Sequence, residues 1–374
     1  MRIAPAFLIA AALTLVAPAA QAQPSPPPWS APASTQIVAE DIAFRNGETP
    51  LSGTLHLPKG GRALAAVVLT HGASSPLRSS PLYRHLKDML PPLGIAVFAY
   101  DRRGSGQSGG DLKASDYALL ADDALAALRR LKADPRIDPK RVGLWGLSQG
   151  GWLSLLAAAR APGEAAFVVS ISAPVVTPDV QMAFFSTNAL RVNGYAQSEI
   201  DEMLAARKAV DDYMRGTGDR ADAQRRIDAI KTRPWFKLIY MGGTVGDRET
   251  SRWRKEIEHD PLQSLNGLKV PTLILYGAAD PAVPVAASVE RLTAVKNQLP
   301  NLRVAVIAGA DHSMQLSVSP KDQMDPSRAD DGAPESAEYF ARLTAWLAAQ
   351  GIARPIADTV FRVPDLRYDR PIQK

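Results

Sequence analysis

The chain reads as an α/β protein: a mostly parallel sheet with helices on both faces and an inserted helical cap. Three observations predict this. Short apolar runs without polar alternation recur along the chain, the mark of strands buried on both faces. Helical patterns lie between most of these runs, and strand–helix alternation builds parallel sheets. One segment breaks that rhythm, since 26 of the 66 residues from 195 to 260 are charged and their patterns are helical.

Composition narrows the function classes. The 374 residues, 46% hydrophobic and 22% charged, suit one large α/β domain with an insertion, or two domains. With no cysteine, the chain cannot form disulfides, thiolate metal sites, a cysteine nucleophile or a lipidated cysteine anchor. The 43 Lys and Arg against 38 Asp and Glu give a net charge of +5. These charges are interspersed, so a nucleic-acid surface is not expected. Thirty prolines and 26 glycines point to many loops without low complexity.

The elements follow in order. Arg2 is the only charge before Glu40 and precedes an apolar stretch that ends in Ala20-Gln21-Ala22, a small-x-small cleavage signal. Residues 1–22 are therefore expected to be a signal peptide, giving a periplasmic or secreted protein with no stable membrane anchor after cleavage. Residues 23–35, rich in Pro, Ser and Ala, read as a disordered linker. Residues 37–44 and 51–57 alternate around Asn46-Gly47 and read as a hairpin. Buried strands are expected at 65–70, 95–100, 142–145, 167–171, 272–276 and 304–307. Leu120, Ala124, Leu128 and Leu131 share one helical face, and further helices are expected at 151–159, 286–299 and 338–349. The α/β core is expected to span 36–177 and 263–352, the helical cap 178–262, and a tail 353–374. The cap's apolar residues, among them Phe184, Phe185, Trp235 and Phe236, need shelter. They either form a small core of their own or face a ligand.

Candidate chemistry sits at the strand ends. Gly146-Leu147-Ser148-Gln149-Gly150 lies between a strand and an apolar helix, the context of a strained turn that exposes the Ser148 hydroxyl. The two glycines let the backbone pass without Cβ clashes, and the helix N-terminus offers free N–H groups to an oxyanion. A hydroxyl is a weak nucleophile and needs a base. Of the five histidines, His56 lies in the hairpin, His85 on a helix and His259 at the end of the cap. His312, in Gly309-Ala310-Asp311-His312-Ser313 just beyond the last strand, is the expected base. Asp280, after the strand at 272–276, is the expected carboxylate orienting it. Asp311, its immediate neighbour, is poorly placed to reach the ring. A second oxyanion donor is expected in His71-Gly72-Ala73-Ser74-Ser75, with the Ala73 and Gln149 N–H groups as the pair and His71 structural.

Gly104-Ser105-Gly106-Gln107-Ser108-Gly109 matches G-x-G-x-x-G. Its helix does not open at the third glycine and its strand is not the sheet's first, so no dinucleotide cofactor is expected. No H-E-x-x-H occurs and the histidines are scattered, so no metal is expected.

Together, His71-Gly72, Asp101-Arg102-Arg103-Gly104-Ser105-Gly106, the Gly146–Gly150 turn, Gly277…Asp280 and Asp311-His312 resemble the serine α/β-hydrolases. More narrowly they are similar to dienelactone-hydrolase-like carboxylesterases with a cap. The resemblance covers roughly residues 40–350, and the order Ser148…Asp280…His312 is that family's order. It implies an acyl hydrolase acting on a small-molecule ester through an acyl-enzyme. Dienelactone hydrolases proper use a cysteine, which is absent here, and haloalkane dehalogenases use an aspartate where Ser148 stands. A peptidase of the prolyl-oligopeptidase type, a thioesterase and an inactive binding protein on the same fold are the alternatives.

Overall fold

A computed structural model describes residues 35–325 and 333–354. The expected signal peptide, nearly all of the expected linker and the tail beyond Arg354 lie outside them. The described chain builds one eight-stranded sheet from β1 (Ile37–Asn46), β2 (Thr49–Pro58), β3 (Leu64–Thr70), β4 (Ile95–Tyr100), β5 (Ile137–Leu147), β6 (Val168–Ile171), β7 (Thr272–Gly277) and β8 (Leu302–Ile307). Their spatial order is β1-β2-β4-β3-β5-β6-β7-β8. β1–β2 and β2–β4 are antiparallel; every pairing from β4 to β8 is parallel. The hairpin turns at Gly47-Glu48, one residue later than the Asn46-Gly47 reading, because Asn46 already pairs with Thr49.

The apolar runs become strands because both faces are covered. Ala66 and Val68 join the core on one face, where α2 (Tyr117–Lys132), α3 (Gln149–Arg160) and α9 (Val285–Val295) pack. Ala65, Val67 and Leu69 join the other core, under α1 (Arg84–Met89) and α11 (Ala337–Ala349). β5 begins earlier than the apolar run at 142–145, since Ile137 also pairs with Leu64 across an irregularity in the register. Helix α9 stops at Val295 and a 3₁₀ turn covers Lys296–Gln298, so the helix expected at 286–299 is shorter.

Between β6 and β7 the chain forms only helices: α4 (Pro178–Val192), α5 (Gln197–Arg215), α6 (Arg220–Ile230), α7 (Arg252–Glu256) and α8 (Pro261–Asn266). The short α10 (Pro320–Gln323) follows β8. Leu190, Ile200, Met203, Met214, Ile227, Ile230 and Trp235 form a separate apolar cluster within the insert. Charged residues dominate this segment's sequence because its helices turn only one narrow face each to that cluster.

Candidate functional site

The parallel strands deliver their carboxyl ends to one edge of the sheet, where α/β folds bind ligands. β3 leads into the loop of His71 to Ser75, β5 into Ser148, β7 into Asp280 and β8 into His312. Ser148 itself has φ 56 and ψ −122, a left-handed conformation disfavoured for a residue with a Cβ. Its N–H donates to Ile171 O at 2.7 Å, and its carbonyl accepts from Gly151 N at 2.8 Å, so the strained turn is tied on both sides. A Cβ on Gly146 would strike the Gly150 backbone, and one on Gly150 would strike the Thr70 carbonyl. These contacts are why the turn needs both glycines. The Thr70 hydroxyl donates to the Gly150 carbonyl at 2.7 Å and lies 2.7 Å from Ser154 Oγ, clamping the turn to β3.

His312 Nδ1 lies 2.7 Å from Asp280 Oδ2. The Asp280 side chain is fully buried and that of His312 is 23% exposed. Asp280 Oδ1 accepts from the N–H groups of Ala282 (2.7 Å) and Val283 (3.2 Å), which fixes the carboxylate in orientation. Asp311 is used differently: its Oδ1 accepts from Ser313 N and Gln315 N, shaping its own loop. Burial pulls the His312 pKa down, but the charge and hydrogen bond of Asp280, with Asp311 adding to them, more than offset this. The net position is above the ordinary 6.5. The structure pairs His312 with Asp280 and brings Ser148 to the same sheet edge; among the described residues no hydrogen bond joins Ser148 to His312.

The His71 loop runs beside the serine. A methyl group placed on Gly72 would stand 3.9 Å from Ser148 Cβ. Gly72 N–H donates to Tyr83 Oη at 2.9 Å, whereas Ala73 N–H has no acceptor among the described residues. Ala73 is exposed, while His71 is 1% exposed and its ring stands edge-on to Tyr83 and Tyr100, a structural placement. Gln149 heads α3, where N–H groups lack helical partners. The glycine run at 104–109 folds back on itself: Gly104 N donates to Gly109 O at 2.8 Å, and Gln107 N donates to Asp101 Oδ2 at 3.0 Å.

A family model for the alpha/beta hydrolase fold matches residues 65–317. The chain belongs to this family. Among curated proteins, this chain is 37% identical over 112 residues to a thiohydrolase of Arthrinium phaeospermum, covering 29% of this chain and 36% of that one. It is 34% identical over 133 residues to the human monoglyceride lipase, covering 35% of this chain and 42% of the lipase. The matches thus span well under half the length of these two relatives. Among solved structures, an esterase of Pyrococcus furiosus superposes with a TM-score of 0.54 at 18% identity, over 84% of this chain and 91% of that one. That likeness concerns the fold.

Sequence reasoning overlooked three side chains of the hydrolase's site: Thr70, Tyr83 and Arg102. Arg102 Nη2 donates to His71 O (2.5 Å) and Gly72 O (3.2 Å), and Nη1 donates to Gln149 Oε1 (3.0 Å). Thr70 and Tyr83 read as ordinary core positions. Arg102 stood in the quoted Asp101–Gly106 motif, but its role did not show there, because its three acceptors are distant or are backbone atoms. Gln149 was picked for its N–H, and its side chain proves to be the acceptor that joins it to Arg102. His259 is half-buried, its ring edge-on to Tyr117 and Trp152, so it is part of the packing beside the insert.

Proposed function

We propose that the protein is an exported serine hydrolase that cleaves carboxylic esters through an acyl-enzyme. Ser148 Oγ attacks the acyl carbon, His312 Nε2 takes its proton, and Asp280 holds the ring and stabilises the imidazolium. The Ala73 and Gln149 N–H groups receive the oxyanion. Collapse expels the alcohol with the proton from His312; water, deprotonated by the same histidine, then releases the acid and restores Ser148. The observation that carries this reading is the 2.7 Å His312–Asp280 bond at the sheet edge where the strained Ser148 turn emerges. The likeness to a monoglyceride lipase over 133 residues supports an ester as substrate.

A thioester is the second reading, favoured by the 37% identity to a thiohydrolase. A panel of p-nitrophenyl esters of rising chain length, run beside acyl thioesters and aminoacyl p-nitroanilides, separates the readings. Turnover of the anilides alone would assign a peptidase. For export, the support is Arg2, the apolar stretch and Ala20-Gln21-Ala22. Mature protein from the periplasm should begin at Gln23, and an intact Met1 there would refute cleavage.

A further inference from the structure

Arg102 follows β4 and is 4% exposed. The hydrogen bonds found for its guanidinium go to the two halves of the proposed oxyanion site: two carbonyls of the His71 loop and the side chain of Gln149. A trans peptide points its C=O and N–H in opposite directions. Holding the Gly72 carbonyl toward Arg102 therefore turns the Ala73 N–H to the far side of that peptide. With Gly72 N–H committed to Tyr83 and Ser75 N–H to the Gly72 carbonyl, the Ala73 and Ser74 N–H groups are the donors left in this stretch. A flip of the same peptide would present a carbonyl oxygen in place of the donor.

The charge of Arg102 is as telling as its bonds. The adjacent Arg103 pairs with Asp123, its Nε 2.9 Å from Oδ2. Arg102 forms no ion pair with a carboxylate among the described residues; Glu256 and Arg252 act on it with opposite signs. Burying a guanidinium without a directly paired carboxylate is costly. Its hydrogen bonds to both halves of the site offset part of that cost.

We infer that Arg102 is a positioning residue of the oxyanion site, bridging the Ala73 loop to Gln149 and setting the peptide that presents the Ala73 N–H. The inference rests on the serine-hydrolase reading above. The test counts competent sites with a fluorophosphonate and measures kcat, KM and the affinity for an alkyl trifluoromethyl ketone, whose serine adduct carries an oxyanion. Arg102→Met should lower kcat per labelled site about a hundredfold, within the range set by losing one oxyanion donor. KM should stay within about threefold, because the ground-state carbonyl depends less on the donors. Ketone affinity should fall in step with kcat. Arg102→Lys should recover only part, since an ammonium lacks the fork that spans three acceptors. Millimolar guanidinium should partly rescue Arg102→Ala.

If Arg102→Met does not fold, Gln149→Leu severs the elbow half of the bridge with Arg102 in place. It should weaken ketone binding and kcat together by about tenfold, and unchanged ketone affinity would overturn the inference. Wild-type protein that takes no label at Ser148 overturns the serine-hydrolase reading and this inference with it. A labelled wild type beside a folded Arg102→Met variant of undiminished kcat overturns this inference alone.

Discussion

His312 Nδ1 and Asp280 Oδ2 stand 2.7 Å apart, joining the loops that leave β8 and β7. Because Asp280 Oδ1 is held by two backbone N–H groups, the carboxylate cannot turn away, and Nδ1–H is the ring group that faces it. The other ring nitrogen is left to accept a proton from a nucleophile.

The first expected outcome concerns pH. A base must be neutral, and the pKa of His312 lies above 6.5. kcat/KM should therefore fall on acidification with a midpoint above 6.5. Asp280→Asn removes the charge that raises the pKa and leaves the burial that lowers it. The acid limb should move to lower pH while kcat drops by about 10⁴, the loss found when a triad carboxylate is neutralised. A limb unmoved in Asp280→Asn refutes the pairing. The same shift affects stability. The raised histidine stabilises the fold fully below the unfolded pKa of about 6.5, and that contribution is lost as pH rises through the folded pKa.

The second concerns Ser148. A fluorophosphonate should label it, and Ser148→Ala should lower kcat by about 10⁶ if serine and histidine act as one unit. Mass spectrometry of the labelled peptide settles which serine reacts. Label on Ser172, which is also buried at a strand end with positive φ, would move the nucleophile there.

The fold was readable because burial on both faces leaves a largely apolar run in the inner parallel strands, while β8, at the sheet edge and only partly buried, still carries one at 304–307. Ser148 was readable because its turn constrains neighbours close in sequence: two glycines, a strand before and a helix after. Asp280 and His312 were readable only by position after a strand, and their pairing needed coordinates. The bridging role of Arg102 was not readable, although its motif was, since its acceptors at His71, Gly72 and Gln149 come together only when β3, β4 and β5 are side by side. For Trp235 the sequence left two readings open, a core of the insert's own or a ligand face, and the structure places it in the core. An indole on a charged segment shows that shelter is needed without showing from which side.

The third concerns Glu256 on α7. Its side chain is 3% exposed and lies 3.2 Å from Arg252 Nε. Burial pushes its pKa up to about 7 despite Arg252, with Asp116 adding to the rise. A carboxyl raised above its unfolded value binds more protons when folded. Stability should therefore fall as pH rises from about 4.5 toward 7, by on the order of 1–3 kcal/mol. Glu256→Gln should flatten that decline in urea titrations at pH 5 and pH 8. An equal decline in wild type and variant would place the pH dependence elsewhere.

The fourth separates packing from substrate contact in the insert. Trp235 is fully buried in the insert's own cluster, and its Nε1 donates to Glu199 Oε1 at 3.1 Å. Trp235→Ala should cost about 3–5 kcal/mol as a large-to-small change in a core, and it should leave the ranking of ester chain lengths unaltered. Phe184 and Phe185 stand differently. On α4, Gln181 Nε2 donates to Ala282 O at 2.8 Å and Asn188 Nδ2 donates to Pro281 O at 2.9 Å, so this face of the helix meets the loop carrying Asp280. Positions 184 and 185 flank these two on the helical wheel, within about 60° of them, hence on that same face. Both are half-buried, neither belongs to the insert's cluster, and Phe185 packs edge-on to Tyr240 at 5.3 Å. An acyl chain bound at the sheet edge would lie under this face, gaining about 0.8 kcal/mol for each methylene it buries. Phe184→Ala should therefore shift the preferred p-nitrophenyl ester by two or more carbons, with Ser148 labelling intact and stability lowered less than in Trp235→Ala. If Phe184→Ala keeps the wild-type ranking, the acyl chain is lined from another element and α4 serves only to brace the Asp280 loop.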